Sequence, residues 1–216
     1  MPDLAALAAA VCVLLPEGCG CAAADPRTPP DGLLPGEAIT GTDKRLREYA
    51  AGRRAARQAM ARIGLPPAAI PMGLDRAPVW PAGLSGSITH SATACLAAVA
   101  ARPLLIGLDL EPDADLPADL WQTVLRPEEI ARLRGDGRQA MVVFSAKEAA
   151  YKAQFPRSRS LFDFHTLEVM LSGGRFTAIF RDAVPGFAPA TRLEGRITRA
   201  EGHILTLVAA TYPMTA

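Results

Sequence analysis

The sequence predicts an α+β protein made of two halves of similar size, with mainly antiparallel strands. Its 216 residues are 50% hydrophobic, which is enough to bury one large core or two smaller ones. The predicted elements follow the order helix, strands, helix, strands, and we expect the halves to be residues 1–103 and 104–216. A charged fraction of 21% excludes disorder as the main state, and a net charge of +1 excludes nucleic-acid binding by bulk charge.

The N-terminal run Leu4–Leu15 predicts a core helix. The first basic residue is Arg27, whereas a secretory signal needs a positive segment in front of its apolar stretch. No apolar stretch reaches the roughly 18–20 residues that a membrane-spanning helix needs. The cysteines contain no CxxC pair for zinc, and Cys19 and Cys21 are too close for an ordinary disulfide. We therefore expect a cytoplasmic protein with reduced thiols and no membrane span. We also expect a monomer.

Caps and breakers predict the remaining elements of the first half. Thr42–Ile63 predicts a long helix, because Thr42 or Asp43 can cap its start and Gly64 can end it. Proline-rich stretches on both sides predict loops, namely Pro26–Pro35 and Leu65–Leu84. Three short apolar runs then predict strands: Ser85–His90 and Cys95–Ala101 in the first half, and Leu104–Leu110 at the start of the second.

The second half repeats the change from helix to strand. Within Asp115–Arg134, Pro117 and Pro127 mark the starts of short helical turns. Arg138–Phe155 predicts the second long helix, with Pro156 as its end. Turn residues separate four further strand candidates, which predict two hairpins: Thr166–Leu171 with Phe176–Phe180, and Arg192–Thr198 with Ile204–Tyr212.

The strand candidate that ends at Glu111 places two carboxylates together. Successive side chains of a strand point to opposite faces, so Asp109 and Glu111 share one face. Two like charges so close repel each other unless a cation lies between them, and Mg²⁺ prefers oxygen ligands of this kind. The alternative is an ordinary strand whose polar face lies in water.

A third carboxylate lies on the second long helix. Phe144, Tyr151 and Phe155 form one helical stripe, and Glu148 falls on it. A carboxylate in a buried stripe needs a partner, which is either Lys152 at i+4 or the metal ion already inferred.

Three carboxylates around one Mg²⁺ would leave a net charge near −1, so an anionic substrate needs basic residues around it. Lys147, Lys152 and His90 could supply that charge, which suggests diphosphate chemistry. The chain contains no GxxxxGK phosphate loop and no Gly-x-Ser-x-Gly motif, so a P-loop enzyme and an α/β-hydrolase are both disfavoured.

Two motifs together resemble a known family. G-L-D-L-E at Gly107–Glu111, followed by F-S-A-K-E-A-A-Y-K at Phe144–Lys152, is similar to the paired signature of 4′-phosphopantetheinyl transferases of the larger, pseudo-dimeric type. Three more segments resemble that family: Arg45–Arg57, Arg76–Pro81 and Gly86–Ser91. The chain departs from the family pattern at Phe144, where many members carry Trp, and at Asp75, where a basic residue is common.

The resemblance implies two similar halves related by a pseudo-twofold axis, with the active site between them. It implies transfer of 4′-phosphopantetheine from coenzyme A to a serine of an apo acyl-, peptidyl- or aryl-carrier protein, with release of 3′,5′-ADP. It assigns the Mg²⁺ ligands as Asp109, Glu111 and Glu148, and the catalytic residues as Glu148, the general base, and Lys152. The implied contacts with coenzyme A are Arg45, Arg53, Asp75, Arg76, Ala77, Pro78, Thr89, His90, Asp109, Lys147, Glu148 and Lys152.

Two other functions remain open. The same three carboxylates could serve a different Mg²⁺-dependent phosphotransferase or phosphohydrolase that needs no carrier protein. The chain could also be a non-catalytic module that binds coenzyme A, although every charged position of the signature is present.

Overall fold

A computed structural model describes residues 1–211 and confirms the predicted α+β class. The helices are α1 (Leu4–Cys12), α2 (Asp43–Arg62), α3 (Trp121–Val124), α4 (Pro127–Leu133) and α5 (Gly137–Ser158). The strands are β1 (Cys19–Ala24), β2 (Ser85–His90), β3 (Cys95–Ala100), β4 (Leu105–Pro112), β5 (Leu167–Ser172), β6 (Arg175–Phe180), β7 (Arg192–Ala200) and β8 (His203–Ala210). None of the described helices is both long and apolar enough to cross a bilayer. The chain divides into an N-terminal unit, Met1–Ile106, and a C-terminal unit, Gly107–Ala210.

The N-terminal unit is a three-stranded antiparallel sheet with helices packed on it. The strand order is β1-β3-β2, and α2 packs on β1 and β3 through an alanine-rich face. The predicted core helix is confirmed as α1, which packs against β1 and buries Leu7 and Val11. A Cβ on Gly20 would lie 2.2 Å from the carbonyl oxygen of Ala59, so this glycine allows β1 and α2 to approach closely.

A buried ion pair fixes α2 within this unit. The Glu37 carboxylate is fully buried and accepts two 2.8 Å hydrogen bonds from Nη1 of Arg57, which lies on α2. Glu37 also accepts a hydrogen bond from the backbone N–H of Ile70, at 2.7 Å. Glu37 thereby joins the loop before α2, the helix itself and the loop after it. At the start of α2, Thr42 forms the predicted N-cap and accepts from the N–H of Arg45.

The C-terminal unit is a five-stranded sheet in the order β4-β8-β7-β6-β5, with α5 packed mainly on β8. Both predicted hairpins are confirmed as β5–β6 and β7–β8, although the predicted last residue of β8, Tyr212, lies outside the described residues. The short helical turns begin where Pro117 and Pro127 predicted them.

The predicted end of α5 at Pro156 is wrong. The helix continues through Pro156 to Ser158, where Arg159 adopts a left-handed conformation and donates its N–H to the carbonyl of Phe155. A proline one turn from a helix end removes only one backbone hydrogen bond. The cap at Arg159 closes the final turn in spite of that loss.

Strand β4 and helix α5 come closest at Gly107. A Cβ built on Gly107 would lie 1.8 Å from the carbonyl oxygen of Ala149 and 2.7 Å from the backbone N of Ala153. Both atoms belong to the backbone of α5 and cannot rotate away. Glycine at this position therefore sets the distance between the strand that carries Asp109 and the helix that carries Glu148.

Replacing Gly107 with Ala should move β4 away from α5 and destabilise the protein. Overpacking against a fixed backbone costs about 2 kcal/mol or more, which lowers the melting temperature of a protein of this size by about 4–8 °C. The matched control is Gly32→Ala, whose Cβ would meet nothing within 4 Å. There we expect only the cost of a left-handed alanine, about 1 kcal/mol. Thermal unfolding of both variants checks this, and a Gly107→Ala protein that melts with the wild type would contradict the packing.

Candidate functional site

The face of β4 that carries Gly107 also carries Asp109 and Glu111, so both carboxylates lie on the side of α5. Asp109 is only 3% exposed and Glu111 is half-buried. The alternative of a strand face in water is therefore wrong for Asp109. A buried carboxylate must be compensated by hydrogen bonds and charge.

Helix α5 supplies that compensation for Asp109. The hydroxyl of Ser145 donates to Oδ2 of Asp109 at 2.9 Å, and Nζ of Lys152 donates to Oδ1 at 2.5 Å. The same ammonium also donates to the carbonyl of Leu108 at 3.3 Å. Ser145 and Lys152 are seven residues apart, which places them on one face of the helix two turns from each other. The Asp109 carboxylate is thus held at both oxygens by one helix.

A second hydroxyl ties this arrangement to the sheet. Thr206 on β8 lies 2.8 Å from the hydroxyl of Ser145 and donates to the backbone carbonyl of Ser145 at 2.9 Å. Both side chains are fully buried. Sequence reasoning assigned no role to Ser145 or Thr206. Position 145 carried a usable signal, because it lies on the helix face of Glu148 and Lys152, but Thr206 is 61 residues away and nothing in the sequence connects it to this site.

The three carboxylates interact electrostatically. Burial and the Asp109 and Glu148 carboxylates raise the pKa of Glu111 to about 7, although Lys152 opposes the shift. Burial also raises the pKa of Glu148, with Asp109 adding to the effect and Lys152 opposing it. Burial lowers the pKa of Lys152, but the three carboxylates outweigh it and raise that pKa overall. Three carboxylates against one ammonium leave two negative charges when all are ionised, so the cluster attracts further positive charge.

The interpretation of Lys152 as a simple i+4 partner of Glu148 needs revision. Lys152 interacts with Glu148, but it also forms an ion pair with Asp109 across the strand–helix contact. Its role is therefore shared among the carboxylates of the cluster.

The chemical type of these residues suits a hard divalent cation, since all three candidate ligands are carboxylates. Glu111 and Glu148 have raised pKa values, and Asp109 has its charge compensated by Lys152. They are not assembled as a finished metal shell. Among residues 1–211, no three His, Cys, Asp or Glu side chains are arranged to hold one metal ion. The Asp109 oxygen is instead engaged by the ammonium of Lys152.

The ammonium of Lys147 lies in a separate hydrogen-bond network of the C-terminal unit. Its side chain is 1% exposed, and Nζ donates to Oε2 of Glu129 at 2.6 Å and to the carbonyls of Val124 and Phe164 at 2.8 and 3.0 Å. Burial lowers the pKa of Lys147 and the Glu129 carboxylate opposes that shift. These acceptors use all three ammonium donors. The ammonium is therefore fully hydrogen-bonded within the protein, but Lys147 lines the same pocket as Glu148, and its expected contact with coenzyme A stays a prediction.

Glu129, which sequence reasoning missed, organises this region. Its Oε1 accepts from the N–H of Val169 at 2.6 Å, and its Oε2 accepts from the N–H of Arg126 at 2.7 Å as well as from Lys147. It thereby joins α4, α5 and β5. Beside this network, Glu148 borders a mainly apolar pocket of about 290 Å³. Its aromatic lining consists of Tyr151, Phe162 and Phe164.

The N-terminal unit contains a separate basic pocket of about 200 Å³. Its basic lining residues are Arg45, Arg53, Arg76 and His90. Arg45 and Arg53 lie two turns apart on one face of α2, where Tyr49 separates them. The fold thus brings into one pocket four residues that are spread over 46 positions of the sequence.

Arg53 is fixed within this pocket. Its side chain is buried, with Nε donating to the carbonyl of Ile70 at 2.9 Å and the guanidinium 3.8 Å from the ring centre of Tyr49. Burial lowers its pKa, while Tyr49 and Glu37 partly compensate. Arg45 contacts the sulfur of Met72 at 3.8 Å. Both guanidiniums are thus positioned by neighbouring side chains and backbone, and Glu48 is an acidic residue in the lining of the same pocket.

The loop that carries Arg76 is a tight turn. Gly73 donates to the carbonyl of Ala77 at 2.8 Å, Met72 pairs with Pro78, and Asp75 accepts from the N–H of Ala77 at 3.1 Å. Arg76 adopts a left-handed φ of 66°, which costs an arginine about 1–2 kcal/mol. Of the four predicted contacts in this loop, Arg76 lines the pocket, whereas Asp75, Ala77 and Pro78 shape the turn.

The end of β2 supplies the last two predicted residues. Thr89 is buried and its carbonyl accepts from the thiol of Cys95 at 3.3 Å. His90 is exposed and borders the basic pocket.

Comparison with known proteins places both units in one family. Residues 37–100 match the family model of the 4′-phosphopantetheinyl transferase N-terminal domain, and residues 105–208 match that of the 4′-phosphopantetheinyl transferase superfamily. The 4′-phosphopantetheinyl transferase Svp of Streptomyces mobaraensis is 37% identical over 205 residues, which cover 87% of this chain and 82% of that protein.

Two further relatives extend the comparison. The 4′-phosphopantetheinyl transferase PptT of Mycobacterium tuberculosis is 34% identical over 198 residues, which cover 83% of this chain and 87% of that protein. Enterobactin synthase component D of Escherichia coli strain K12 is 38% identical over 117 residues, which cover 51% of this chain and 55% of that protein.

Proposed function

Because this chain belongs to the 4′-phosphopantetheinyl transferase superfamily and is an enzyme of that type, we propose that it modifies a serine of an apo acyl-, peptidyl- or aryl-carrier protein with phosphopantetheine from coenzyme A. The serine oxygen forms a bond to the β-phosphorus, the bond between that phosphorus and the bridging oxygen breaks, and 3′,5′-ADP leaves. The observation that carries this proposal is the buried junction of Asp109 and Lys152 with two further carboxylates of raised pKa beside it.

We propose Asp109, Glu111 and Glu148 as the ligands of Mg²⁺. Mutual repulsion and burial raise the pKa of Glu111, and a divalent cation relieves that repulsion. When bound, the ion supplies positive charge to the diphosphate oxygens as negative charge develops on them.

Glu148 is the general base of the proposal. Its burial raises its pKa, which makes the carboxylate a better proton acceptor near neutral pH. It takes the serine proton while the serine oxygen attacks. Its position beside the apolar pocket, which would receive the uncharged pantetheine arm, supports this role.

Lys152 provides the protein's own positive charge in the proposed site. The surrounding carboxylates keep its ammonium protonated, so it can neutralise charge on the diphosphate and on the leaving group. Lys147 has a structural role in this proposal, because its ammonium is committed to Glu129 and two carbonyls.

The basic pocket of the N-terminal unit supports binding of the 3′-phosphate of coenzyme A. Arg45, Arg53, Arg76 and His90 border one pocket, and guanidinium groups match phosphate oxygens in geometry as well as charge. We further propose, as expected from the sequence, that the protein acts as a cytoplasmic monomer.

The direct test combines a carrier assay with a substitution at Glu148. Incubation with coenzyme A, Mg²⁺ and an apo carrier protein should add the mass of one phosphopantetheine group to the carrier. Glu148→Gln should melt near the wild type but transfer at least a hundredfold more slowly, because a general base contributes about 10²–10⁴-fold.

The matched control is Glu128→Gln, which changes an exposed glutamate on α4. It should transfer at the wild-type rate. Phosphate release without carrier modification would favour the phosphohydrolase, and binding of coenzyme A without turnover would favour the non-catalytic module. A Glu148→Gln protein within a fewfold of the wild type would refute the catalytic assignment.

The second test addresses the 3′-phosphate. Arg45→Ala should weaken binding of coenzyme A by about 10- to 150-fold, the equivalent of the roughly 1.5–3 kcal/mol expected of a charge-assisted hydrogen bond. Binding of dephospho-coenzyme A should change little. Lys44→Ala removes an exposed charge next to Arg45 and should leave both affinities unchanged. Calorimetric titration gives the two constants, and equal losses for both ligands would place Arg45 away from the 3′-phosphate.

A further inference from the structure

Two cysteines of the N-terminal unit lie together at the edge of its sheet. Cys12 is the last residue of α1, and its Sγ lies 3.7 Å from the backbone carbonyl oxygen of Cys21 on β1. Cys12 is partly exposed, whereas Cys21 is fully buried. Each of the two thiols also shifts the pKa of the other. A solvent-accessible thiol therefore has a buried thiol as its immediate neighbour.

Arg62, the last residue of α2, adds positive charge to this pair. Its Nη1 lies 3.8 Å from Sγ of Cys12 and also donates to the carbonyl of Cys21. Strand β1 is at the edge of its sheet, so an outward carbonyl is available to a side chain. The Arg62 guanidinium thus contacts both the edge of β1 and the sulfur of Cys12.

The surroundings give the two sulfurs different protonation states. Interaction with the Cys21 thiol, the Cys21 backbone and Arg62 lowers the pKa of Cys12 to about 6 against the opposing effect of burial. The C-terminal end of α1 also opposes a thiolate. Interaction with Cys12 and burial raise the pKa of Cys21 well above its usual value. One thiolate therefore faces one protonated thiol.

We propose that Cys12 is an oxidisable thiol that forms a reversible disulfide with Cys21 when the protein meets a hydroperoxide. The Cys12 thiolate attacks one peroxide oxygen, the O–O bond breaks, and the sulfur is oxidised to a sulfenic acid while hydroxide leaves. The Cys21 sulfur then attacks Sγ of Cys12, the S–O bond breaks, and the Cys21 proton leaves with the hydroxyl group as water. Thiol reductants reverse the disulfide.

Cys19 provides an internal comparison. It lies on the same strand, but burial raises its pKa although Arg102 lies near it. The formation of the disulfide needs no co-reactant other than the peroxide. Peroxide should therefore oxidise Cys12 and Cys21 and leave Cys19 reduced.

The experiment is intact mass spectrometry of the reduced, full-length protein after treatment with hydrogen peroxide. The wild type and Cys19→Ser should lose two hydrogen atoms and regain them with dithiothreitol. Cys12→Ser should keep its mass, and Cys21→Ala should gain oxygen without losing hydrogen. Circular dichroism verifies that each variant is folded. Loss of two hydrogens by Cys12→Ser or Cys21→Ala, or oxygen addition alone in the wild type, would overturn the pairing.

A second measurement keeps the proposal testable if Cys21→Ala is unstable. The rate at which iodoacetamide alkylates Cys12 should be half-maximal near pH 6, compared with about 8.5 for an ordinary cysteine. Arg62→Gln should shift that midpoint to higher pH, since it removes the positive charge. A wild-type midpoint at the ordinary value would overturn the assignment of Cys12 as the reactive thiol.

Discussion

The ion pair between Asp109 and Lys152 depends on how closely β4 approaches α5, and the C-terminal site depends on that pair. Gly107 permits the approach because any side chain there would overlap the backbone of α5. At that distance Ser145 and Lys152 reach both oxygens of Asp109. The glycine of the G-L-D-L-E motif is therefore a packing requirement, and the two acids that follow it are the chemical part of the motif.

The two units carry different kinds of charge. The C-terminal cluster has an excess of carboxylates around one lysine, which suits a cation and a diphosphate bound through it. The basic pocket of the N-terminal unit suits an anion directly. Helix α2 contributes to two places in that unit, because Arg45 lies near its start and Arg62 at its end. Arg53, the pocket residue nearest that end, lies nine residues before Arg62, so about 14 Å of helix separates the basic pocket from the thiol pair.

Patterns of short range were visible in the sequence. The two-residue period of a strand put Asp109 beside Glu111, and caps and breakers predicted α2 nearly to the residue. Strand β1 was missed because its six residues, C-G-C-A-A-A, are small and do not alternate between apolar and polar. They form a strand because small side chains let α1 and α2 pack closely on it.

Side-chain networks of long range were not visible. The resemblance implies that Lys147 contacts coenzyme A, but it does not reveal the ion pair with Glu129, which forms because one residue turns a helix by about 100°. The bonds that join Ser145 to Thr206, and Glu129 to Val169, link positions 40 to 61 residues apart and depend on the finished fold. Sequence patterns therefore predicted which residues carry charge in the site better than they predicted the groups that hold those residues in place.

The most direct test of the Asp109–Lys152 junction is a double-mutant cycle on stability. Asp109→Asn retains a side-chain oxygen for Ser145, and Lys152→Met retains the aliphatic stem, so the cycle isolates the charge interaction. Unfolding free energies in the presence of a chelator should give a coupling of about 1–3 kcal/mol. The control cycle pairs Asp109→Asn with Lys44→Met, whose lysine has Glu48 as its partner, and should be additive. Additivity of the Asp109 and Lys152 changes to within about 0.5 kcal/mol would contradict the central role given to this pair.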